Sequence, residues 1–409
     1  MSAEPAAQAP PSLYQLLDPA VLADPYPLYH RLRAMGPVSW DPYLHAWVVT
    51  GYAEVLQVFQ RFSADRTPTP ERLEVMGMGH LGPIAQVMVR QMLFLDPPAH
   101  TRIRTLAAQA FTPHRVAGLR RHIEEIAERL LDQVEGRGEM DVLADLAYPL
   151  PAIVTAEMLG LPTEDWPRLI RWSADYAGML GNFQHNPELA GRVLGSLEEM
   201  TAYFRGHIHR QLREGGEAGL VGALARAEVD GNRLSEEEVV ANLIVTMVGG
   251  QETTTNLIGN GLLALLRNPD QLERLRRQPD LMPTAVEELL RYESPSQHTA
   301  RIAPADCVLG GQAIRAGQAA IAVMGAANRD PDRFPDPDRL DLGRQDNRHV
   351  AFAWATHYCF GAPLARMEGQ ITFASVLRRL PGLHLRPGAA LRWRENLGLR
   401  GLVALPVLF

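Results

Sequence analysis

The sequence contains no lysine, so all 40 of its basic residues are arginine. This absence excludes enzymes that bind pyridoxal phosphate through a lysine Schiff base, and ATPases that need the lysine of a Walker phosphate loop. Only two cysteines occur among the 409 residues, too few for a zinc site built from cysteine pairs. A cluster of basic residues is also missing, which argues against nucleic acid as a partner.

Long apolar runs are absent as well. No segment approaches the roughly 20 apolar residues that span a bilayer, and residues 1–11 lack the hydrophobic core of a signal peptide. We therefore expect a cytoplasmic protein without a membrane span. With 46% hydrophobic and 21% charged residues, the composition is that of a globular protein able to bury a large core. We expect one domain over residues 1–409, with residues 1–17 flexible.

Helical periodicity dominates the chain from residue 97 to residue 291. The clearest segments are residues 116–134, 189–213 and 235–267. The last begins with a capping box at Ser235 and Glu238, and would form a helix about 50 Å long that crosses the molecule. Short strand patterns lie near both ends of the chain, at residues 38–40, 47–49, 307–309, 312–314, 319–323 and 402–409. The sequence therefore predicts a mainly α fold with a minor β part.

The centre of the long helix contains residues that weaken a helix, in the segment 249–256 (GGQETTTN). Each glycine costs about 1 kcal/mol relative to alanine in a helix interior. One interpretation is a local distortion that opens a groove for a ligand beside Glu252 and Thr253. The other is close packing of a second helix against the glycines. The pattern alone does not choose between them.

Cys359 lies in a non-periodic loop immediately before a helical segment that runs to about residue 379. A helix N-terminus offers free N–H groups and the positive end of the helix dipole, and both favour a thiolate. Because neither a catalytic partner nor a metal cluster is evident nearby, the thiolate could be the single protein ligand of a haem iron. The alternative is a buried, inert cysteine, which is the interpretation that we adopt for Cys307.

Three segments together resemble, in order and spacing, the signature motifs of the cytochrome P-450 superfamily, above all its soluble bacterial members. They are residues 249–254 (GGQETT), 288–291 (ELLR) and 352–361 (FAWATHYCFG). The resemblance covers nearly the whole chain, from about residue 18 onward. It implies the cytochrome P-450 fold, in which a long central helix and the cysteine loop enclose haem b (iron protoporphyrin IX).

The resemblance also implies roles for individual residues. Cys359 matches the axial ligand of the iron, and Glu252 with Thr253 matches the acid–alcohol pair that relays protons to dioxygen. Positions that hold the haem propionates are matched by His100, Arg104, Arg301 and His357. A structural charge cluster behind the haem is matched by Glu288, Arg291 and Arg339. By their position in the family, the residues expected to contact substrate are Leu93, Val245, Val248, Gly249, Gln297, His298 and Leu397.

Two segments are expected to move over the substrate, residues 66–92 and residues 175–187. His298 has alternatives to substrate contact, namely a core hydrogen bond or a solvent-facing side chain. The sequence departs from the family pattern at Ala353 and Ala355, where the family usually has glycine. Alanine at a positive φ carries a strain cost, so the resemblance leaves open how this loop tunes the thiolate.

The resemblance implies a monooxygenase that inserts one oxygen atom of O2 into a C–H or C=C bond of an apolar small molecule, such as a polyketide, a macrolide or a fatty-acyl compound. Electrons would come from a separate ferredoxin or flavodoxin with its NAD(P)H reductase, docking near Cys359 on arginines such as Arg102 and Arg366. We expect a monomer. Two alternatives remain, a peroxide-driven oxygenase on the same fold and a haem sensor or carrier without turnover.

Overall fold

A computed structural model describes residues 10–68, 70–180, 187–214, 219–229 and 231–409. The α-helices of these residues are α1 Pro19–Ala23, α2 Tyr26–Ala34, α3 Tyr52–Arg61, α4 Pro70–Val75, α5 Gly82–Met88, α6 Ala99–Ala110, α7 Pro113–Gly118, α8 Arg120–Glu135, α9 Pro149–Leu159, α10 Trp166–Met179, α11 Pro187–Glu214, α12 Gly219–Arg226, α13 Glu236–Arg267, α14 Pro269–Arg277, α15 Met282–Tyr292, α16 Met324–Ala327 and α17 Ala362–Arg379. The strands are β1 Val38–Asp41, β2 Ala46–Val49, β3 Glu139–Asp141, β4 Glu228–Val229, β5 Asn232–Arg233, β6 Thr299–Ile302, β7 Cys307–Leu309, β8 Gln312–Ile314, β9 Ala319–Ala322, β10 His384–Leu385 and β11 Pro406–Leu408.

The long helix α13 is the axis of the molecule. Its predicted capping box is confirmed, because the Ser235 hydroxyl accepts from the backbone N–H of Glu238 and the Glu238 carboxylate accepts from the N–H of Ser235. The helix contributes to two hydrophobic cores. Its first half packs with α10, α11 and α12, and its second half packs with α8, α15 and α17. Burial on nearly all sides fixes α13 between the two cores.

A four-stranded sheet combines β1 and β2, from the N-terminal part of the chain, with β6 and β9. Its strand order is β1-β2-β9-β6. Strands β1 and β2 are antiparallel, β2 and β9 are parallel, and β9 and β6 are antiparallel. The prediction is confirmed for β7 and β8, whose bounds agree with the sequence pattern. In the predicted strand 402–409 only Pro406–Leu408 is extended in a sheet. Strand β6 was not predicted, and it carries Arg301 into the interior.

The predicted flexibility of residues 1–17 is wrong for the end of that segment. Residues 1–9 lie outside the described residues, but Leu13–Leu17 forms a 3-10 helix with Leu13 and Leu16 buried. The buried carboxylate of Asp41 accepts hydrogen bonds from the Ser12 hydroxyl and the Leu13 N–H. Two buried leucines and a satisfied buried carboxylate order this segment.

The charge cluster behind the cavity contains Glu288 and Arg291, which are both fully buried on α15. Its second arginine is not the expected Arg339. Arg291 donates two hydrogen bonds of 2.8 Å to the Glu288 carboxylate. The second cation on Glu288 is Arg344, whereas Arg339 offers only its backbone carbonyl, to Arg291. The Arg339 side chain is exposed because the turns of this stretch direct it outward. The expectation for Arg339 is therefore wrong.

Candidate active site

A cavity of about 510 Å³ lies where α13 passes the loop that precedes α17. Apolar side chains form most of its lining, including Leu93, Val245, Val248, Leu180 and Leu399. Polar groups converge at three places in it, which are the Cys359 loop, a cluster of arginines and histidines, and the middle of α13. Cavities of this size and character hold small-molecule ligands and cofactors.

Two tight turns form the Cys359 loop. Ala353 donates its N–H to Val350, Tyr358 donates to Ala355, and the Cys359 N–H donates to the carbonyl of Phe352 at 2.9 Å. Ala353 and Ala355 have φ of +58° and +56°, in the left-handed region that glycine adopts without strain. The backbone shape that the family pattern builds with glycine is therefore built here with alanine, at a strain cost of about 1 kcal/mol or more per residue.

We predict that Ala353→Gly and Ala355→Gly each raise the free energy of unfolding by about 0.5–1 kcal/mol, because the relieved strain exceeds the added chain entropy. Urea denaturation of the purified protein measures this change. Ala374→Gly, at an exposed helical position on α17, is the matched control and should destabilise by about 1 kcal/mol. Destabilisation by all three substitutions would contradict strain in the loop.

Burial raises the pKa of the Cys359 thiol, although the N–H groups of Gly361 and Ala362 and the charges of Arg104 and Arg366 act in the opposite direction. The N–H groups at the start of α17 therefore favour the thiolate, as the sequence predicts. Desolvation of the sulfur outweighs the start of α17. A metal cation bound to the sulfur would stabilise the thiolate, because a coordinating thiol is deprotonated outright.

Five basic side chains meet at one end of the cavity, which we call the cationic cluster: Arg66, His100, Arg104, Arg301 and His357. Among the described residues, the three arginines of this cluster form no salt bridge with a carboxylate. His100 and Arg301 are each 2% exposed, and the rings of His100 and His357 lie 4.3 Å apart. Arg66, which the sequence did not single out, also sits over the ring of Phe94 at 4.7 Å.

The arginines of the cationic cluster carry its charge, while the histidines are neutral. Burial, with Arg301 and His100, lowers the pKa of His357 to about 3, and burial with Arg104 lowers that of His100. Burial also lowers the pKa of Arg66 to about 9 and that of Arg301 to about 10, so both stay protonated at neutral pH. Both ring nitrogens of His100, Nε2 of His357 and Nε of Arg301 have no hydrogen-bond partner within the described residues. These buried groups favour an anionic acceptor.

Glu252 and Thr253 both line the cavity from the middle of α13. Glu252 is 1% exposed and pairs through Oε2 with Arg394 at 2.6 Å. The Thr253 hydroxyl donates to the carbonyl of Gly249, one turn earlier, at 2.8 Å. Thus a buried acid and an alcohol stand side by side on the wall of the cavity.

The structure shows an unbroken helix at the glycine pair, so the predicted distortion is absent, whereas close packing is confirmed at Gly250. A Cβ at Gly249 would meet nothing within 4 Å, and Gly249 opens onto the cavity. A Cβ at Gly250 would lie 3.0 Å from Thr155 Oγ1, so that glycine permits close packing of α9. The helix continues without a break through this segment. The groove therefore forms because Gly249 has no side chain, and not because the helix is interrupted.

The expected substrate residues divide into two groups. Leu93, Val245, Val248, Gly249 and His298 line the cavity. Gln297 and Leu397 do not: Gln297 accepts from the Tyr29 hydroxyl and donates to the Ser294 carbonyl, while Leu397 packs in a core with α2. His298 combines two of its alternatives, because it lines the cavity and hydrogen-bonds the Leu397 backbone, and burial lowers its pKa to about 4.

The two segments expected to move stand differently in the structure. Residues 66–92 include α4 and α5, and their movement stays a prediction. Within residues 175–187, positions 181–186 lie outside the described residues. Arg102 and Arg366, expected to meet an acidic partner, already pair inside the chain with Glu238 and Glu287.

Glu368 on α17 is a buried cavity residue that sequence reasoning missed. It is 1% exposed, lies beside Thr254, and its Oε1 has no hydrogen-bond partner within the described residues. Burial raises its pKa to about 8, so it is mostly a neutral acid at neutral pH. A single acid in a helical pattern gives no signal of burial, which arises here from the packing of α17 on α13.

We predict that Glu368→Gln removes part of the pH dependence of stability. The folded-state pKa of Glu368 exceeds its ordinary value, so the stability that its protonated form contributes is present below about pH 4.5 and is lost as the pH rises through 8. From pH 5 to pH 7.5 the variant should gain on the order of 3 kcal/mol relative to the parent. Parallel stability curves from urea unfolding at several pH values would contradict the assignment.

Comparison with known proteins identifies the family. The model of the Cytochrome P450 family matches residues 81–381. The "Biotin biosynthesis cytochrome P450" of Bacillus subtilis (strain 168) is 39% identical over 395 residues, which cover 95% of this chain and 97% of the relative. "Cytochrome P450 monooxygenase PikC" of Streptomyces venezuelae is 38% identical over 94% of this chain and 91% of its own length.

A solved structure agrees with these relatives. The crystal structure of P450BioI in complex with hexadec-9Z-enoic acid ligated acyl carrier protein superimposes with a TM-score of 0.90 at 37% identity, covering 96% of this chain and 99% of the other. Among the described residues, no helix is both long enough and apolar enough to cross a membrane. The chain belongs to the cytochrome P450 family and is a haem-dependent monooxygenase.

Proposed function

We propose that this enzyme inserts one oxygen atom of O2 into an apolar substrate held in the cavity, with Cys359 as the axial ligand of the haem iron. One observation carries the proposal: a single cavity is lined by Cys359, the cationic cluster and the Glu252–Thr253 pair. A buried cysteine, a group of arginines or an acid beside an alcohol can each occur singly in a protein that binds no haem. Their convergence on one apolar cavity is what a haem-thiolate oxygenase requires.

The residues present fit haem b. Its two propionates are carboxylates, and His100, Arg104, Arg301 and His357 would hold them, since several of their buried nitrogens lack a protein partner within the described residues. Arg66 adds a third arginine to this end of the cavity. The sulfur of Cys359, with the N–H groups of Gly361 and Ala362 directed to it, would ligate the iron. The described residues contain no group of three His, Cys, Asp or Glu side chains that could bind a metal by themselves.

The reaction consumes a substrate R–H, O2, two electrons and two protons, and yields R–OH and water. Haem, when bound, supplies the iron at which dioxygen is activated. The protein must supply the protons and exclude bulk water. Glu252 is placed to bring protons from the Arg394 side of α13, and the Thr253 hydroxyl lies next to it on the cavity wall. The mostly apolar lining disfavours bulk water in the remaining space.

The substrate that this cavity favours is a long apolar molecule of the fatty-acyl or polyketide type. Leu93, Val245 and Val248 provide apolar contacts, and Gly249 leaves room beside α13. His298 is the polar group among the expected substrate contacts that line the cavity, and it is neutral at neutral pH because burial lowers its pKa to about 4. The relative solved with a hexadec-9Z-enoic acid ligated carrier protein supports an acyl chain as the first compound to test.

Electrons come from a separate redox partner, which we propose to be a ferredoxin or a flavodoxin with its NAD(P)H reductase. With Cys359 assigned to the haem iron, Cys307 is the one cysteine left, and even a Rieske iron–sulfur cluster needs two.

A two-stage experiment tests the proposed function. Hexadec-9-enoic acid and a small panel of polyketide lactones are titrated while the low-to-high-spin shift of the haem is followed. Compounds that shift the spin state are then incubated with a surrogate ferredoxin, its reductase, NADPH and ¹⁸O2. One ¹⁸O atom in the product is expected. Label-free product, or turnover with hydrogen peroxide that equals turnover with O2, would contradict the reaction.

A further inference from the structure

A buried ion pair connects the middle of α13 to the C-terminal segment of the chain. Arg394 donates through Nη1 to Glu252 Oε2 at 2.6 Å, and through Nη2 to Oδ1 of Asn256, one turn further along the helix. Its guanidinium therefore spans two successive turns on one face of α13. Arg394 does not line the cavity, whereas Glu252 does.

The backbone around Arg394 is shaped for this contact. The Arg394 N–H donates to the Gly401 carbonyl at 2.9 Å, and Asn260, a further turn along α13, donates to the Arg400 carbonyl at 2.8 Å. A Cβ at Gly401 would lie 1.9 Å from Oδ1 of Asn256, so the close approach of the segment to α13 requires glycine there. Arg394 is thus held in place by the hydrogen bonds of its side chain to α13 and by that of its backbone N–H to Gly401.

The two carboxylate oxygens of Glu252 have different environments in this ion pair. Oε2 is fixed by Arg394, while Oε1 has no hydrogen-bond partner among the described residues. The Glu252 side chain is 2% exposed and that of Arg394 is 21% exposed, so Arg394 lies on the solvent side of the acid. A carboxylate this deeply buried stays charged only if a cation accompanies it. Arg394 is that cation.

The charged and titratable groups around the pair are few. Glu252 belongs to α13, Arg394 to the C-terminal segment, and Tyr148 to the start of α9. Burial raises the pKa of Tyr148, so it stays a neutral phenol beside the pair, and Asp141 acts on Tyr148 in the same direction. The charge of Glu252 and its hydrogen bond raise the pKa of Arg394 against the effect of burial, so Arg394 stays protonated. Of these three groups, Glu252 is the one that lines the cavity.

We propose that Arg394 is a positioning residue for proton delivery: it keeps the Glu252 carboxylate charged and leaves Oε1 as the oxygen that takes up and releases a proton at the cavity. This inference rests on the proposed function of Glu252. It gives the C-terminal segment a part in the chemistry through Arg394, although the Arg394 side chain does not line the cavity. Loss of Arg394 should slow proton transfer without weakening haem or substrate binding.

The test uses the haem-loaded enzyme with a surrogate ferredoxin, its reductase, NADPH and hexadec-9-enoic acid as the probe. The variants are Arg394→Gln, Arg394→Lys, Glu252→Gln and the double variant Glu252→Gln/Arg394→Gln. Arg392→Gln is the matched control, because Arg392 is an exposed arginine two positions away. Each variant is assayed for haem content, spin shift, dioxygen consumption in H2O and D2O, and the fraction of dioxygen recovered as hydrogen peroxide.

Arg394→Gln is expected to keep its haem and spin shift, to consume dioxygen about 10-fold more slowly and to show a larger solvent isotope effect. Arg394→Lys restores the charge and should stay within about threefold of the parent. In the Glu252→Gln background, Arg394→Gln should change the rate by less than about twofold, because the two residues act through one carboxylate.

Three outcomes separate this inference from the function on which it rests. A slow Glu252→Gln with a normal Arg394→Gln overturns the role of Arg394 and leaves the proposed function standing. A Glu252→Gln variant as fast and as well coupled as the parent overturns both. If Arg394→Gln does not retain haem, Arg394→Lys decides: a rate near that of the parent supports the inference, and a rate as low as that of Glu252→Gln overturns it.

Discussion

Replacing Arg291 by alanine is expected to lower the free energy of unfolding by about 3–5 kcal/mol, because it leaves the Glu288 carboxylate buried with too few partners. Both side chains are fully buried and joined by two hydrogen bonds of 2.8 Å. Arg291 also donates to the carbonyls of Asn328 and Pro337, each at 2.8 Å. Its removal therefore weakens the connection between α15 and the stretch that leads to the Cys359 loop, where the contact of Glu288 with Arg344 remains.

Urea unfolding followed by circular dichroism and by haem absorbance measures this loss. Arg277→Ala is the matched control, because Arg277 pairs with Glu273 on an exposed helix face and its side chain is 73% exposed. We expect that substitution to change stability by less than about 0.5 kcal/mol. An Arg291→Ala variant that is destabilised by less than about 1 kcal/mol would mean that the cluster does not hold this part of the fold together.

The largest catalytic effects are expected at Glu252 and Thr253. Glu252→Gln and Thr253→Val should each lower the rate of oxygenated product by about 100-fold, since a positioned acid or proton relay typically contributes at least that factor. For Thr253→Val we expect dioxygen consumption to continue while hydrogen peroxide replaces product, because the hydroxyl on the cavity wall is lost. In Glu252→Gln, dioxygen consumption itself should slow.

Thr246→Val is the matched control for the threonine. Its hydroxyl also lies on α13, and it donates to the Asn242 carbonyl one turn earlier at 2.7 Å, as Thr253 donates to Gly249. Loss of that hydrogen bond reproduces the effect on the helix without touching the acid–alcohol pair. Equal losses of product in Thr246→Val and Thr253→Val would contradict a role in proton transfer that is specific to Thr253, since Thr246 also lines the cavity.

Local sequence signals predicted those parts of the molecule that short-range physics controls. Ser235 and Glu238 lie three residues apart and cap α13 through neighbouring atoms, so the pattern alone gave the start of the helix. Strands β7 and β8 form a hairpin around two glycines with positive φ, and their bounds followed from alternation. The motif resemblance added the expected roles of Glu252, Glu288 and Cys359, which no local pattern indicates.

What the sequence did not predict depends on contacts between distant segments. Arg394 and Glu252 are 142 residues apart, and only the docking of the C-terminal segment on α13 joins them. Gln297 and Leu397 were expected at the substrate, but the packing of α2 draws both into a core. Burial raises the pKa of the Cys359 thiol against the effect of the helix N-terminus, and no local pattern indicates that burial.

The absorption spectrum of the reduced carbonyl complex tests the central assignment most directly. We predict that the parent enzyme and Cys307→Ser show the Soret band typical of thiolate ligation, and that Cys359→Ser loses it. Cys307 is the matched control, because it is the other cysteine of the chain and lies on β7, outside the residues that line the cavity. A Cys359→Ser enzyme that retains the thiolate-type band would contradict the assignment of Cys359 as the ligand of the haem iron.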